Sequence, residues 1–137
     1  SLCTRYAVEL VGAAKLGYCS AMLLARLTEA QCREAMAQGE FGPGVTGAAE
    51  TVIVILTQSW CPQWAAMSAM LASLPERPSL RAFFVEYDRE PFFEDFMTFK
   101  EKTFGNDLIP YLRYYRGGSL ARTSNFLDKA SLLRIIE

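Results

Sequence analysis

Histidine is absent from all 137 residues. Its absence removes the side chain that most often serves as a general base near neutral pH, the partner of Cys-His and Ser-His nucleophiles, and the commonest transition-metal ligand. Cysteine occurs four times, as Cys3, Cys19, Cys32 and Cys61, but never in a C-x-x-C spacing. Neither a zinc site nor a dithiol redox motif can therefore be written, and no metal or other cofactor is expected. An excess of either charge is missing too: 14 Lys and Arg face 15 Asp and Glu, which gives no reason to expect nucleic acid or an anionic membrane as a partner. No apolar run is long enough to span a bilayer and no signal peptide precedes the first residues. The expectation is a cytoplasmic protein without a membrane span, read from a chain that starts at Ser1 and not at Met. Gly42, Gly44 and Gly47 lack the lysine that would follow in a phosphate loop, so this stretch reads as an ordinary loop.

What is present suffices for one domain. About half the residues are apolar, enough to bury a core without disulfides or metal to staple it. Residues 5–26 read as helix with a wide apolar face that includes Leu10, Ala14 and Met22, either packed on the domain or offered to a second copy or another partner. Gly12 and Gly17 allow this stretch to be two helices. Thr28 and Gln31 form a capping box for a helix ending at Gly39. Thr51 to Leu56 is an unbroken, β-branched apolar run, the mark of a strand covered on both faces. Met67, Met70, Leu71 and Leu74 then recur at helical spacing, and Ala82 to Tyr87 supplies another strand. Pro91 is expected to open a helix with Phe92, Phe96 and Phe99 on its core face and Asp88 as its cap, closed by Gly105. Glu86 is expected to face solvent or share in that capping. Tyr111 to Tyr115 and Leu120 to Ser124, joined through Arg116-Gly117-Gly118-Ser119, read as a hairpin, and Asp128 caps a closing helix through Leu132, Leu133 and Ile136. This order makes an α/β domain with a mixed sheet.

The stretch with chemical potential is Trp60-Cys61-Pro62-Gln63-Trp64. A buried strand that runs into Cys, with Pro next and a helical pattern beyond, places a thiol at a helix N-terminus. Unpaired N–H groups and the positive end of the helix dipole favour thiolate there. Pro62 fits because its missing donor costs nothing in the first turn and its φ is already helical. Cys3, Cys19 and Cys32 lie in an alanine-rich helical region and read as fillers of small apolar gaps.

Three separated features resemble the thioredoxin superfamily: the strand and turn from Leu56 to Trp64, the strand Val85-Glu86-Tyr87-Asp88, and Leu108-Ile109-Pro110-Tyr111 followed by the glycine hairpin Arg116-Gly117-Gly118. The resemblance covers residues 28–137 and implies a thioredoxin-like mixed sheet flanked by helices; residues 1–27 would be an N-terminal helical extension. The segment between Asp88 and Pro110 exceeds the family norm by about two helical turns. By resemblance, Cys61 is the attacking thiol, Trp60 and Pro62 flank it, and Pro110, as the family's cis-proline, leaves the Ile109 backbone free to pair with an extended peptide. The departures are equally specific. Trp64 stands where the family has its resolving cysteine, Ile55 where it often has a buried acid, and Phe84 near the place of its partner lysine. All three replaced groups serve the second step of exchange, in which a resolving thiol expels the product.

Three readings follow. Cys61 is a live monothiol that exchanges with protein thiols or disulfides, or with glutathione or another small thiol, with Cys19 or Cys32 as a conceivable resolver. Alternatively, the domain is a redox-inactive binding module that keeps the cis-proline surface, with Trp64 capping the site. In the third, Cys61 is a small buried hydrophobe in a structural subunit.

Overall fold

A computed structural model describes residues 24–136. Cys3 and Cys19 lie outside them, as does most of the expected N-terminal helix. Five strands form one sheet in the order β1-β3-β2-β4-β5, with β1 Leu24–Arg26, β2 Thr51–Thr57, β3 Leu80–Glu86, β4 Tyr111–Arg116 and β5 Ser119–Ser124. β1 and β2 run parallel to β3, whereas β4 runs antiparallel to both β2 and β5. The helices are α1 Glu29–Gln38, α2 Pro43–Thr46, α3 Pro62–Ala72, α4 Phe93–Thr98 and α5 Lys129–Ile136.

The centre of the sheet follows from the β2 sequence. All seven residues of this β-branched run are buried. Val52, Val54 and Leu56 enter a core with Cys32, Ala35, Phe92 and Phe96 from α1 and the α4 region, while Ile53 and Ile55 enter a second core with Trp64, Met67, Leu71 and Leu132 from α3 and α5. The period-two alternation of a strand thus divides one apolar run between two helical layers. Local signals set several boundaries. Gln31 N–H donates to Thr28 Oγ1 at 3.0 Å while Thr28 N–H donates to Gln31 Oε1 at 2.9 Å, completing the capping box of α1. Gly39 ends that helix at φ +80°. Gly117 and Gly118, both at positive φ, make the tight turn between β4 and β5, and Ser131 N–H donates to Asp128 Oδ1 at 2.7 Å at the start of α5.

Four expectations need correction. Leu24–Arg26 is an edge strand on β3 and not the end of a helix; three residues are too few to show a period of two and so to stand out from the helical pattern of the sequence before them. The loop expected at residues 42–47 contains a helical turn, Pro43–Thr46, begun by proline in its first position. Pro91 lies in a turn, and the phenylalanine helix starts at Phe93. After Thr98 that helix widens into a π-helical turn, Phe99–Thr103, with Phe104 N–H donating to Phe99 O at 3.3 Å. The wider turn buries both Phe99 and Lys100, which a period of 3.6 would not place together.

Candidate thiol site

The site forms where β2 gives way to α3. Cys61 is the N-cap of α3, Pro62 is its first residue, and Ala65 N–H donates to Cys61 O at 3.1 Å. The turn before it is pinned from the short 3-10 turn Tyr87–Arg89 that follows β3. Ser59 N–H donates to Asp88 Oδ1 at 2.7 Å and Ser59 Oγ donates to Asp88 Oδ2 at 2.6 Å. Burial alone would raise the Asp88 pKa, but the paired Ser59 donors outweigh it and hold the carboxyl below its ordinary value. Asp88 is therefore not the cap of the phenylalanine helix; it anchors the thiol-bearing turn. Gln58 extends this bracing, accepting from Trp60 Nε1 at 2.7 Å and donating from Nε2 to the Tyr87 hydroxyl at 3.4 Å.

Within this frame the side chains divide sharply. Cys61 is 4 % exposed and Trp64 likewise 4 %, whereas Trp60 is 67 % exposed. The thiol sits in the core beside Ile55, Trp64 and Leu112, not in an open turn. Trp64 does not cap the site from outside. It lies beneath the surface, its ring 5.4 Å from that of Phe84 and its Nε1–H donating to Glu86 Oε2 at 2.8 Å. Glu86 thus has a partner and is not a bystander facing solvent. Ile55 and Phe84 are register partners across β2 and β3, so the three departures recognised in the sequence meet at one place. That place is apolar, an aliphatic side chain beside two aromatic rings inclined to one another at 34°.

The proline loop approaches from β4. Leu56 pairs with Tyr111, which brings Pro110 to the end of the sheet from which the Cys61 turn emerges. The Ile109–Pro110 peptide bond is cis. Ile109 packs against both cores, including the one that holds Cys61, and Leu108 is 59 % exposed. A side-chain network fixes this loop: Asn106 and Asn125 exchange amide hydrogen bonds at 2.9 and 3.0 Å, Asn125 Nδ2 also donates to Pro110 O at 2.9 Å, and Leu108 N–H donates to Asn106 Oδ1 at 3.0 Å. The buried Lys100 supports it from below, donating from Nζ to Asn106 O at 2.7 Å. Burial lowers the Lys100 pKa, against the opposing pull of Glu101 and Asp107.

Cys32 is fully buried in the other core, across the sheet from Cys61, and both are free thiols. Burial, then the charges of Glu90 and Glu29, push its pKa up to about 12. It is a filler of apolar space, and the sheet separates it from Cys61, which removes it as a resolver. Among the described residues no group of His, Cys, Asp and Glu is arranged to hold a metal ion.

No family profile matches the sequence, and no curated protein matches it. Solved structures do. The chain is similar to thioredoxin O1 from Arabidopsis thaliana in its oxidised state, with a TM-score of 0.59 and 16 % identity over 82 % of this chain and 94 % of that one. It is similar to thioredoxin f from spinach chloroplast, with a TM-score of 0.57 and 15 % identity over 85 % and 92 %. To Trxlp from Edwardsiella tarda the TM-score is 0.51, with 21 % identity over 83 % and 97 %. Identities this low carry the fold alone.

Proposed function

The chain has the thioredoxin-superfamily fold, and on that premise we propose that it captures extended polypeptides against the exposed Trp60 and the Ile109 backbone, which the buried cis Pro110 holds in place, with Cys61 as a single thiol able to form a mixed disulfide. In that step the Cys61 thiolate attacks one sulfur of a partner disulfide. A new S–S bond forms to that sulfur, the old one breaks, and the other partner sulfur leaves as thiolate. Release needs a second thiol from outside, a protein thiol or a small one such as glutathione, because Trp64 occupies the resolver position. The observation that carries the reading is the pairing of a thiol at the N-cap of α3 with the joint replacement of all three groups that serve the resolving step. Asp88 and Asn125 would be positioning residues, the first for the thiol turn and the second for the peptide-binding loop.

The test is a trapping reaction. Native protein is incubated at pH 8 with a peptide carrying an activated disulfide, then analysed by mass spectrometry beside a Cys61→Ser control. One peptide adduct on Cys61, reversed by added thiol and absent from the control, is the expected result. The burial of Cys61 favours a second reading, a redox-inactive binding module. That reading takes over if Cys61 reacts only after denaturation while the folded protein still binds the peptide.

A further inference from the structure

A second site lies at the opposite end of the sheet. Thr51 begins β2 and pairs with Arg116, the last residue of β4, whereas Cys61 follows the other end of β2, roughly 20 Å away at the usual rise of an extended strand. Between the β4–β5 hairpin and α5 an open cleft of about 390 Å³ is lined by Tyr114, Arg116, Ala121, Arg122, Arg134 and Ile135. This size falls within the range of small-molecule sites. Three arginines line it from three different elements, Arg116 from β4, Arg122 from β5 and Arg134 from α5. Among the described residues the ion pairs are Arg33–Glu29 and Arg113–Glu40; none of the three forms one, although Asp128 at the start of α5 interacts with Arg134.

Each of the three is held in place without being used up. Arg116 donates from Nη2 to Ile135 O at 2.8 Å and to Thr51 Oγ1 at 3.4 Å, which leaves the N–H groups of Nε and Nη1 for a ligand. Arg122 lies over the Tyr114 ring, 5.1 Å from its centroid, and Arg134 donates to Ser131 Oγ at 3.2 Å. Three like charges around one cleft repel one another, and an anion placed among them would relieve that repulsion. Guanidinium forks match the several acceptor oxygens of a phosphate, while Tyr114, Ala121 and Ile135 offer an apolar wall that a bare ion would leave unused.

We propose that this cleft binds a small organic phosphate, with its dianionic group among Arg116, Arg122 and Arg134 and its apolar or planar body against Tyr114 and Ile135. The site is independent of the thiol chemistry. The test titrates the full ¹⁵N-labelled chain with phenyl phosphate, and separately with inorganic phosphate and with benzyl alcohol, following backbone amide shifts of β4, β5 and α5. Saturable shifts are expected with phenyl phosphate, with affinity at least about threefold above that of inorganic phosphate, and none with benzyl alcohol. Arg122→Gln and Arg134→Gln should each weaken binding about three- to tenfold, and Cys61→Ser should leave it unchanged. Urea midpoints of the variants check folding; Arg116 is left intact because it also holds the carbonyl end of α5. The proposal is overturned by absence of saturation, by equal affinity for inorganic phosphate, or by undiminished binding in the folded Arg122→Gln/Arg134→Gln double variant.

Discussion

Introducing a second thiol by Trp64→Cys should damage the fold more than it adds to the proposed chemistry. Trp64 is almost wholly buried, stacked 5.4 Å from Phe84 and hydrogen-bonded to Glu86. Replacing an indole with a thiomethyl group removes most of a large buried surface and leaves a cavity, a change that costs about 3–5 kcal/mol in the limit of alanine, with cysteine near the lower end. It also strands the Glu86 carboxylate, which sits half-buried without its donor. Against a total stability of about 5–15 kcal/mol for an ordinary domain, the variant should still fold but unfold at markedly lower urea. Trp60 and Trp64 are the only two tryptophans, so Trp60→Phe isolates the buried indole and gives a fluorescence baseline for the parent. In an insulin-reduction assay the variant should remain without multiple turnover, because Ile55 and Phe84 supply no proton acceptor for the new thiol and Glu86 is placed for the far edge of the indole, beyond the reach of a cysteine sulfur. Either a stability loss below about 1 kcal/mol or sustained insulin reduction would refute the account of Trp64, Ile55 and Phe84 as one apolar replacement unit.

Other consequences can be measured on the same protein. Cys32 should resist iodoacetamide at pH 8 in the folded state and react on unfolding, since burial holds its pKa near 12; labelling of native Cys32 would show that α1 opens readily. Asp88→Asn should loosen the Ser59 turn at a cost of about 1–2 kcal/mol, discounted from charge-assisted hydrogen bonds for partial exposure. The sign of its pH dependence is fixed by a folded-state pKa below the unfolded one. The parent's advantage should be present above the unfolded Asp pKa of about 3.9 and fade as pH falls through the folded value; an advantage that persisted undiminished at pH 2 would exclude this origin. Glu40→Ala should destabilise by about 3 kcal/mol in urea melts by leaving Arg113, buried among Tyr111, Tyr115 and Phe104, without its carboxylate. A loss within about 0.5 kcal/mol would mean that the two tyrosine hydroxyls alone satisfy the guanidinium.

The legible parts of this molecule were those whose physics is local. The β2 run, the Thr28 capping box, the double-glycine turn and the Asp128 cap each depend on residues within a few positions, and each stands where the sequence puts it. Cys61 before Pro62 is of the same kind, which is why the thiol's place at a helix N-cap could be read without coordinates. Its burial could not, because that depends on what Trp64 stacks against, a residue on another strand. Asp88 misled for the same reason. An acid shortly before a proline has a local use as a cap, but its partner Ser59 lies 29 residues back. Arg113 is the strongest case: nothing near it in the sequence announces that Glu40, 73 residues earlier, is its partner in the core.

The segment between Asp88 and Pro110 has a structural use that aromatic periodicity alone does not suggest. Its phenylalanines fill the first core, as helical spacing requires, but its π-helical turn also carries Lys100 inward beneath Asn106. Asn106 holds Asn125 and the Leu108 amide, and Asn125 holds the Pro110 carbonyl. A fully buried lysine is costly to desolvate, and fixing a loop backbone from below is a use that a leucine at that position could not serve. The buried cation of this segment thus serves to fix the loop at residues 106–110 from below. If so, Lys100→Met should leave the phenylalanine core in place and loosen residues 106–110 selectively. Amide hydrogen exchange would register this as faster exchange at Leu108 with β2 unchanged. Uniform acceleration through β2 and β3 would instead make Lys100 a residue of general stability with no special tie to the loop.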